Sequence, residues 1–151
     1  MDRCALAYDY HKQGYNCAQS VAGAFGDRTG WPMDRTAAAL GAFGRGVGGE
    51  AELCGALSGA VLVLSLLFPY DGSDPEKKQA LYGLAQELRE RFLASFGHTR
   101  CGDLRSAQPQ LGPTALRLGA ETPCEGLIIT TVELLEQMLS ELEGERRGLW
   151  I

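Results

Sequence analysis

"LCGALSGAVLVLSLLF", residues Leu53–Phe68, decides the fold. The run is apolar on every side of a helix and stops at Pro69. It is slightly shorter than the roughly 18 residues that argue for a membrane span. We read it as a buried helix at the centre of an all-α helical bundle of about five to six helices. Gly55 and Gly59 sit one helical turn apart on it, so a second helix can approach closely along that face.

Immediately upstream, "GRGVGGEAE" (Gly44–Glu52) is a glycine-rich loop. Such loops adopt dihedrals that other residues avoid. Gly44, Gly46 and Gly49 spell a literal G-x-G-x-x-G, but no strand precedes it and "TAAALGAF" is helix-like. The acid at the expected distance, Asp71, lies in a "PYDG" turn, so the dinucleotide reading fails on context. We expect the loop to fold over the start of the apolar helix. The backbone N–H groups of Gly46, Gly48, Gly49 and Gly55 would then surround Cys54, with Arg45 and Glu50 beside them.

The flanking segments also read as helices. "CALAYDYHKQ" forms a first helix that ends at Gly14. Asn16 caps "CAQSVAGAF", and Asp34 caps "RTAAALGAF". Between these two, "GDRTGWPM" reads as a connection. Asp74 caps a long helix with Pro75 in its first position, and Leu81, Leu84, Leu88, Phe92 and Phe96 recur along it before Gly97. "HTRCGDLRSAQPQLGPTALRLGAE" is irregular, with a turn of helix after Cys101. Thr122-Pro123-Cys124-Glu125 carries a capping-box signature and opens the last helix. Residues 1–143 read as a single helical domain. "GERRGLWI" (144–151) reads as a tail whose Trp150 and Ile151 could dock on a partner.

The chain has 151 residues and a net charge of −5, with no basic stripe, which argues against a nucleic-acid partner. The start, "MDRCALAYDYHKQ", lacks a leader pattern, so we expect a cytoplasmic protein with no membrane contact. In that compartment lasting disulfides are disfavoured, and cysteines point to metal or redox chemistry. There are five: Cys4, Cys17, Cys54, Cys101 and Cys124. Cys17, Cys54 and Cys124 each fall in the first turn of an expected helix, where free N–H groups and the helix dipole favour a thiolate. Cys101 follows Arg100, with His98 nearby. The competing reading is that cysteines are small apolar fillers of a core, and Cys4, in mid-helix, is read that way. No C-x-x-C or C-x-x-C-H occurs, and the wide spacings match neither zinc ribbons nor ferredoxins. His11 reads as a solvated helix residue, and His98 as a loop residue or an outer donor to the site.

Four blocks in order, "GYNCAQSVAGAF", "FGRGVGGEAELCGALSGAVLVLS", "FGHTRCGDL" and "PCEGLIITTVELLEQML", resemble the redox-active proteins named for the pattern C_GCAxxG_C_C. The family name writes Gly-Cys-Ala where this chain has Leu53-Cys54-Gly55-Ala56, and Gly59 closes the element. The resemblance implies that Cys17, Cys54, Cys101 and Cys124 are the functional cysteines. Cys4 has no counterpart in the pattern. A related module occurs in split-Soret cytochromes, which are helical, dimeric and carry an iron–sulfur centre besides their haems. The resemblance thus implies a homodimer and ligation of an iron–sulfur cluster or other metal by the four thiolates; a redox role would also call for a partner protein, which the sequence does not name. Three readings stay open at this point: electron transfer through such a centre, a metal-free dithiol/disulfide protein, and a non-catalytic helical partner-binding domain with packing cysteines. The sequence names neither a substrate nor a reaction.

Overall fold

The computed structural model describes residues 2–145. Among them the chain forms nine α-helices and no strand. They are α1 (Arg3–Lys12), α2 (Cys17–Gly23), α3 (Gly26–Thr29), α4 (Met33–Leu40), α5 (Gly55–Leu67), α6 (Pro75–Phe96), α7 (Cys101–Ala107), α8 (Pro113–Leu118) and α9 (Pro123–Glu145). A single 3-10 turn covers Gly41–Phe43. The class is all-α, as the sequence implies. No helix among the described residues is long and apolar enough to cross a membrane.

The helix count exceeds the expected five to six because short helices fill segments without readable periodicity. The four-residue α3 lies in the stretch read as a connection, and α8 lies in the irregular one. Each stops at a glycine in the left-handed region, Gly30 and Gly119. Helix α4 starts two residues earlier than Asp34 implies, with Pro32 in the cap position. The tail expected over 144–151 falls outside the described residues, except that 144 and 145 continue α9.

The capping signals place the long helices. The Asp74 carboxylate accepts from the N–H groups of Glu76 and Lys77 at 3.1 Å, which starts α6. Leu81, Leu84, Leu88 and Phe92 then fall on one buried face. The Thr122 hydroxyl accepts from the Glu125 N–H at 3.2 Å, and the Glu125 carboxylate accepts from the Thr122 N–H at 2.9 Å, which starts α9. Inward from there α9 buries Leu127, Ile128, Ile129, Val132, Leu135, Met138 and Leu139.

Helices α2 and α5 form the centre. Ala18, Ser20, Val21, Ala22 and Gly23 make α2 the more completely buried of the two. Helix α5 buries Ala56, Leu57, Ala60, Val63 and Leu64, whereas Val61, Leu62 and Ser65 line an open groove with Leu53 and Phe43. So α5 is apolar all round without being covered all round. The close contact expected from Gly55 and Gly59 is made with α2 of the same chain. A Cβ at Gly59 would lie 2.4 Å from the Ala18 carbonyl oxygen, and one at Gly55 would lie 3.2 Å from the Cys17 Cβ. These two glycines bring the starts of α2 and α5, and with them Cys17 and Cys54, side by side.

Candidate functional site

All four cysteines named by the pattern stand at helix starts. Cys17 and Cys101 open α2 and α7, Cys54 occupies the cap position of α5, and Cys124 is the second residue of α9. The sequence placed three of them so and left Cys101 beside a turn. The four helix starts converge on one cavity of about 500 Å³, lined among others by Cys17, Cys54, Cys101 and Cys124. Every pair among the four sulfurs is close enough to interact electrostatically.

Backbone and side-chain ties set this convergence. Asn16 and Gln19 form a capping box at the start of α2. The Asn16 amide donates onward to the Leu40 and Gly41 carbonyls, and Gln19 donates to the Ala37 carbonyl, which anchors the Cys17 end to α4. Cys54 and Cys101 are tied by crossing hydrogen bonds. The Cys54 N–H donates to the Thr99 carbonyl at 2.9 Å, and the Cys101 N–H donates to the Glu52 carbonyl at 2.6 Å. The Gly102 N–H adds a bond to the Ala51 carbonyl at 3.1 Å.

The glycine loop therefore serves the site differently from the expectation. Gly55 lines the cavity, but Gly46, Gly48 and Gly49 do not. The N–H groups of Gly48 and Gly49 donate to the Ala42 and Gly44 carbonyls, inside the loop, and not to sulfur. What the loop offers outward is carbonyls, those of Ala51 and Glu52 at the start of α7. The N–H groups that favour the Cys54 thiolate are those of Ala56 and Leu57 in the first turn of α5, although neither makes a capping hydrogen bond to the sulfur. The loop's fold is tight: Gly46 has φ +74, and a Cβ there would lie 2.4 Å from the Glu52 nitrogen. Arg45, Val47 and Ala51 also sit in the left-handed region, which is strained for a β-branched residue such as Val47.

The charged side chains that line the cavity are cationic, Arg45 and Arg105, and no carboxylate joins them; His11 lines it too. Arg45 stands where the sequence suggested, whereas Glu50 is not among the lining residues. His11, read as a solvated helix residue, faces the site instead, its Nδ1 3.1 Å from the Tyr15 carbonyl oxygen. Arg105 was missed. It follows Cys101 by one helical turn, a spacing that carries meaning only once α7 is recognised as a helix. Arg100, the expected cation beside Cys101, pairs instead with Glu52 at 3.4 Å and Asp103 at 3.7 Å. His98 is exposed and does not line the cavity.

The four thiols differ in acidity. The Cys17 thiol donates a hydrogen bond to the Cys124 sulfur. That bond pulls Cys124 down to about 6, against burial and with help from Arg105, His11 and Arg45. The same bond, with burial, holds Cys17 far above the ordinary thiol range. Burial pushes Cys54 up to about 11, opposed by the Ala56 and Leu57 N–H groups. Burial also raises Cys101, with Arg105 and Arg45 opposing. Cys4 lies apart. It is buried, its thiol faces the Ile129 carbonyl at 3.7 Å, and burial followed by Glu133 and Glu136 pushes it up to about 12. All five cysteines are free thiols.

Among the described residues, no three His, Cys, Asp or Glu side chains converge tightly enough to hold a single metal ion. The four cysteines share the lining of one cavity without forming such a group. That arrangement is unlike a tetrahedral zinc site, whose ligands close on one atom.

Fold and site together define an all-helical protein with thiols gathered around one cationic cavity. A comparison with known families agrees: residues 15–138 match the family described as "Putative redox-active protein (C_GCAxxG_C_C)", and the chain belongs to it. No curated protein and no solved structure matches the chain.

Proposed function

We propose that the protein transfers electrons through an iron–sulfur cluster ligated by Cys17, Cys54, Cys101 and Cys124. The observation that supports this most is the cavity itself: four thiols open onto it from four separate helix starts. A dithiol couple needs two sulfurs and no enclosed volume, whereas a cluster uses all four and the space between them. When bound, such a cluster supplies a one-electron couple. The chain's own residues prepare for its negative charge. The Ala56 and Leu57 N–H groups favour the Cys54 thiolate, Arg45 and Arg105 add positive charge, and Leu104 and Leu127 add apolar lining. Ligation requires thiolates, so loading releases the protons that burial now holds on Cys17, Cys54 and Cys101. The proposal keeps the homodimer implied by the resemblance, together with the cytoplasmic setting and the redox partner protein expected from the sequence. Sedimentation at micromolar concentration checks the dimer. Iron and acid-labile sulfide analysis of anaerobically purified protein tests the cluster. Stoichiometric iron and sulfide are expected, and their absence from protein that retains its fold contradicts it.

A second reading is favoured by one contact, the Cys17–Cys124 hydrogen bond. An acidic thiol beside a buried one is the arrangement of a dithiol/disulfide couple. In that case Cys124 and Cys17 form one S–S bond and release two protons, and a disulfide acceptor takes the two electrons. Free-thiol counts before and after reduction, in protein without iron, separate the two readings.

A further inference from the structure

A second concavity adjoins the first. Gly102, Arg105, Ser106, Gln108, Pro123 and Cys124 line a surface groove of about 470 Å³ between α7 and the start of α9. Cys124 and Arg105 belong to both linings, so the wall between groove and cavity is made partly of one of the four cysteines. The groove has the volume of a small-molecule site, and its lining sets a guanidinium, a hydroxyl and an amide beside Pro123 and Cys124. Neither Arg105 nor Arg45, both exposed, makes an ion pair among the described residues. The two nearest acids in the chain are already engaged. Asp103 pairs with Arg100, and Glu125 accepts from the N–H groups of Glu121 and Thr122. In a chain of net charge −5, a concave site with an unpaired guanidinium and no carboxylate is selective for anions.

We propose that this groove is where the redox centre exchanges electrons with a small anionic carrier, one bearing carboxylate or phosphate groups that Arg105 receives. This deepens the proposed function and rests on it. Cys124 is the shortest link between carrier and cavity. Arg105 is a positioning residue, acting by holding the carrier's anionic group against Cys124. Arg45, across the cavity mouth, adds to the attraction.

Two measurements on anaerobically purified protein test the proposal. In the first, citrate is titrated while backbone amide NMR signals are followed. Saturable shifts are expected at 102–108 and at 124, and they should vanish in Arg105→Ala. Unshifted amides, or shifts that survive the substitution, would overturn the anion site. In the second, reduced protein is oxidised in a stopped-flow instrument by anionic ferricyanide or by cationic hexaamminecobalt(III). Each reagent removes one electron from the centre and leaves as ferrocyanide or as hexaamminecobalt(II). At low salt, Arg105→Glu should slow the anion about tenfold or more and speed the cation. If the substitution only alters the centre's potential, both rates move together, and the proposal fails. Inhibition by polyglutamate with citrate silent would place an acidic protein in the groove and overturn the small-molecule assignment. Failure of the proposed function looks different: neither iron nor reversible thiol oxidation is found. The citrate titration then still decides the anion site, while the groove's redox role falls with that reading.

Discussion

Replacing Gly59 with alanine tests how the fold builds the site. The added methyl would stand 2.4 Å from the Ala18 carbonyl oxygen and 3.0 Å from its Cα, both backbone atoms. Ordinary contact begins at 3.4 Å, so the two helices must separate by about 1 Å. Overpacking of this kind costs about 1–3 kcal/mol. The upper end applies because α2 is buried along most of its length and has no free side to retreat into. Alanine's better helix propensity returns about 1 kcal/mol. The net expectation is a loss of about 2 kcal/mol, or roughly 4–8 °C in Tm for a chain of this size. Gly83→Ala is the matched control. Gly83 lies inside α6, and a Cβ there meets nothing within 4 Å, so it should stabilise by about 0.5–1 kcal/mol. Thermal and urea unfolding of both variants give the signs. If Gly59→Ala is as stable as the parent, or moves in the same direction as Gly83→Ala, the close α2–α5 seam is wrong. The account of why Cys17 and Cys54 adjoin then goes with it.

Leu64→Ala, at a side chain with no exposure, should cost about 2–5 kcal/mol, and Leu62→Ala, on the half-buried groove side of α5, less than half as much in the same urea titration. In metal-free protein, alkylation of Cys124 mapped by mass spectrometry should be half-maximal near pH 6, while Cys4 stays unreactive through pH 9. The acidity of Cys124 also has a stability signature: the folded state binds fewer protons than the unfolded one between pH 9 and about 6, so the metal-free protein should lose stability as pH falls through that window. Cys4 has the opposite sign, since its folded state keeps a proton that the unfolded state releases, and stability should fall as pH rises from 9 toward 12.

The parts of the fold carried by local chemistry were legible from the sequence. Asn16, Asp74 and Thr122 announce their helices because a capping side chain acts within three residues, and Gly97 ends α6 in the left-handed region. Helices α3 and α8 were not legible, since segments of four and six residues carry too little period. The burial of α5 was overread, because apolarity says that a face prefers cover and not that a neighbour supplies it. At the site, helix-start placement pointed to Cys17, Cys54 and Cys124, and the neighbouring Arg100 and His98 pointed to Cys101, although neither of those two lines the cavity. The loop's role was misassigned. Glycines signal unusual dihedrals without saying whether N–H groups or carbonyls face outward, and here the outward groups are the Ala51 and Glu52 carbonyls. Arg105 and His11 join the site through tertiary packing of α7 and α1, which no local pattern encodes.

The central claim is that four cysteines act as one redox site and the fifth does not. The direct test is a panel of single Cys→Ser variants at 4, 17, 54, 101 and 124, each purified anaerobically and assayed for bound iron and for thiols that oxidise reversibly. The account predicts that changes at Cys17, Cys54, Cys101 and Cys124 each abolish or sharply reduce the iron, while Cys4→Ser keeps it in full. Iron and reversible oxidation unaffected by any of the four, or lost equally in Cys4→Ser while that variant stays folded, would contradict the shared site and leave the cysteines as packing.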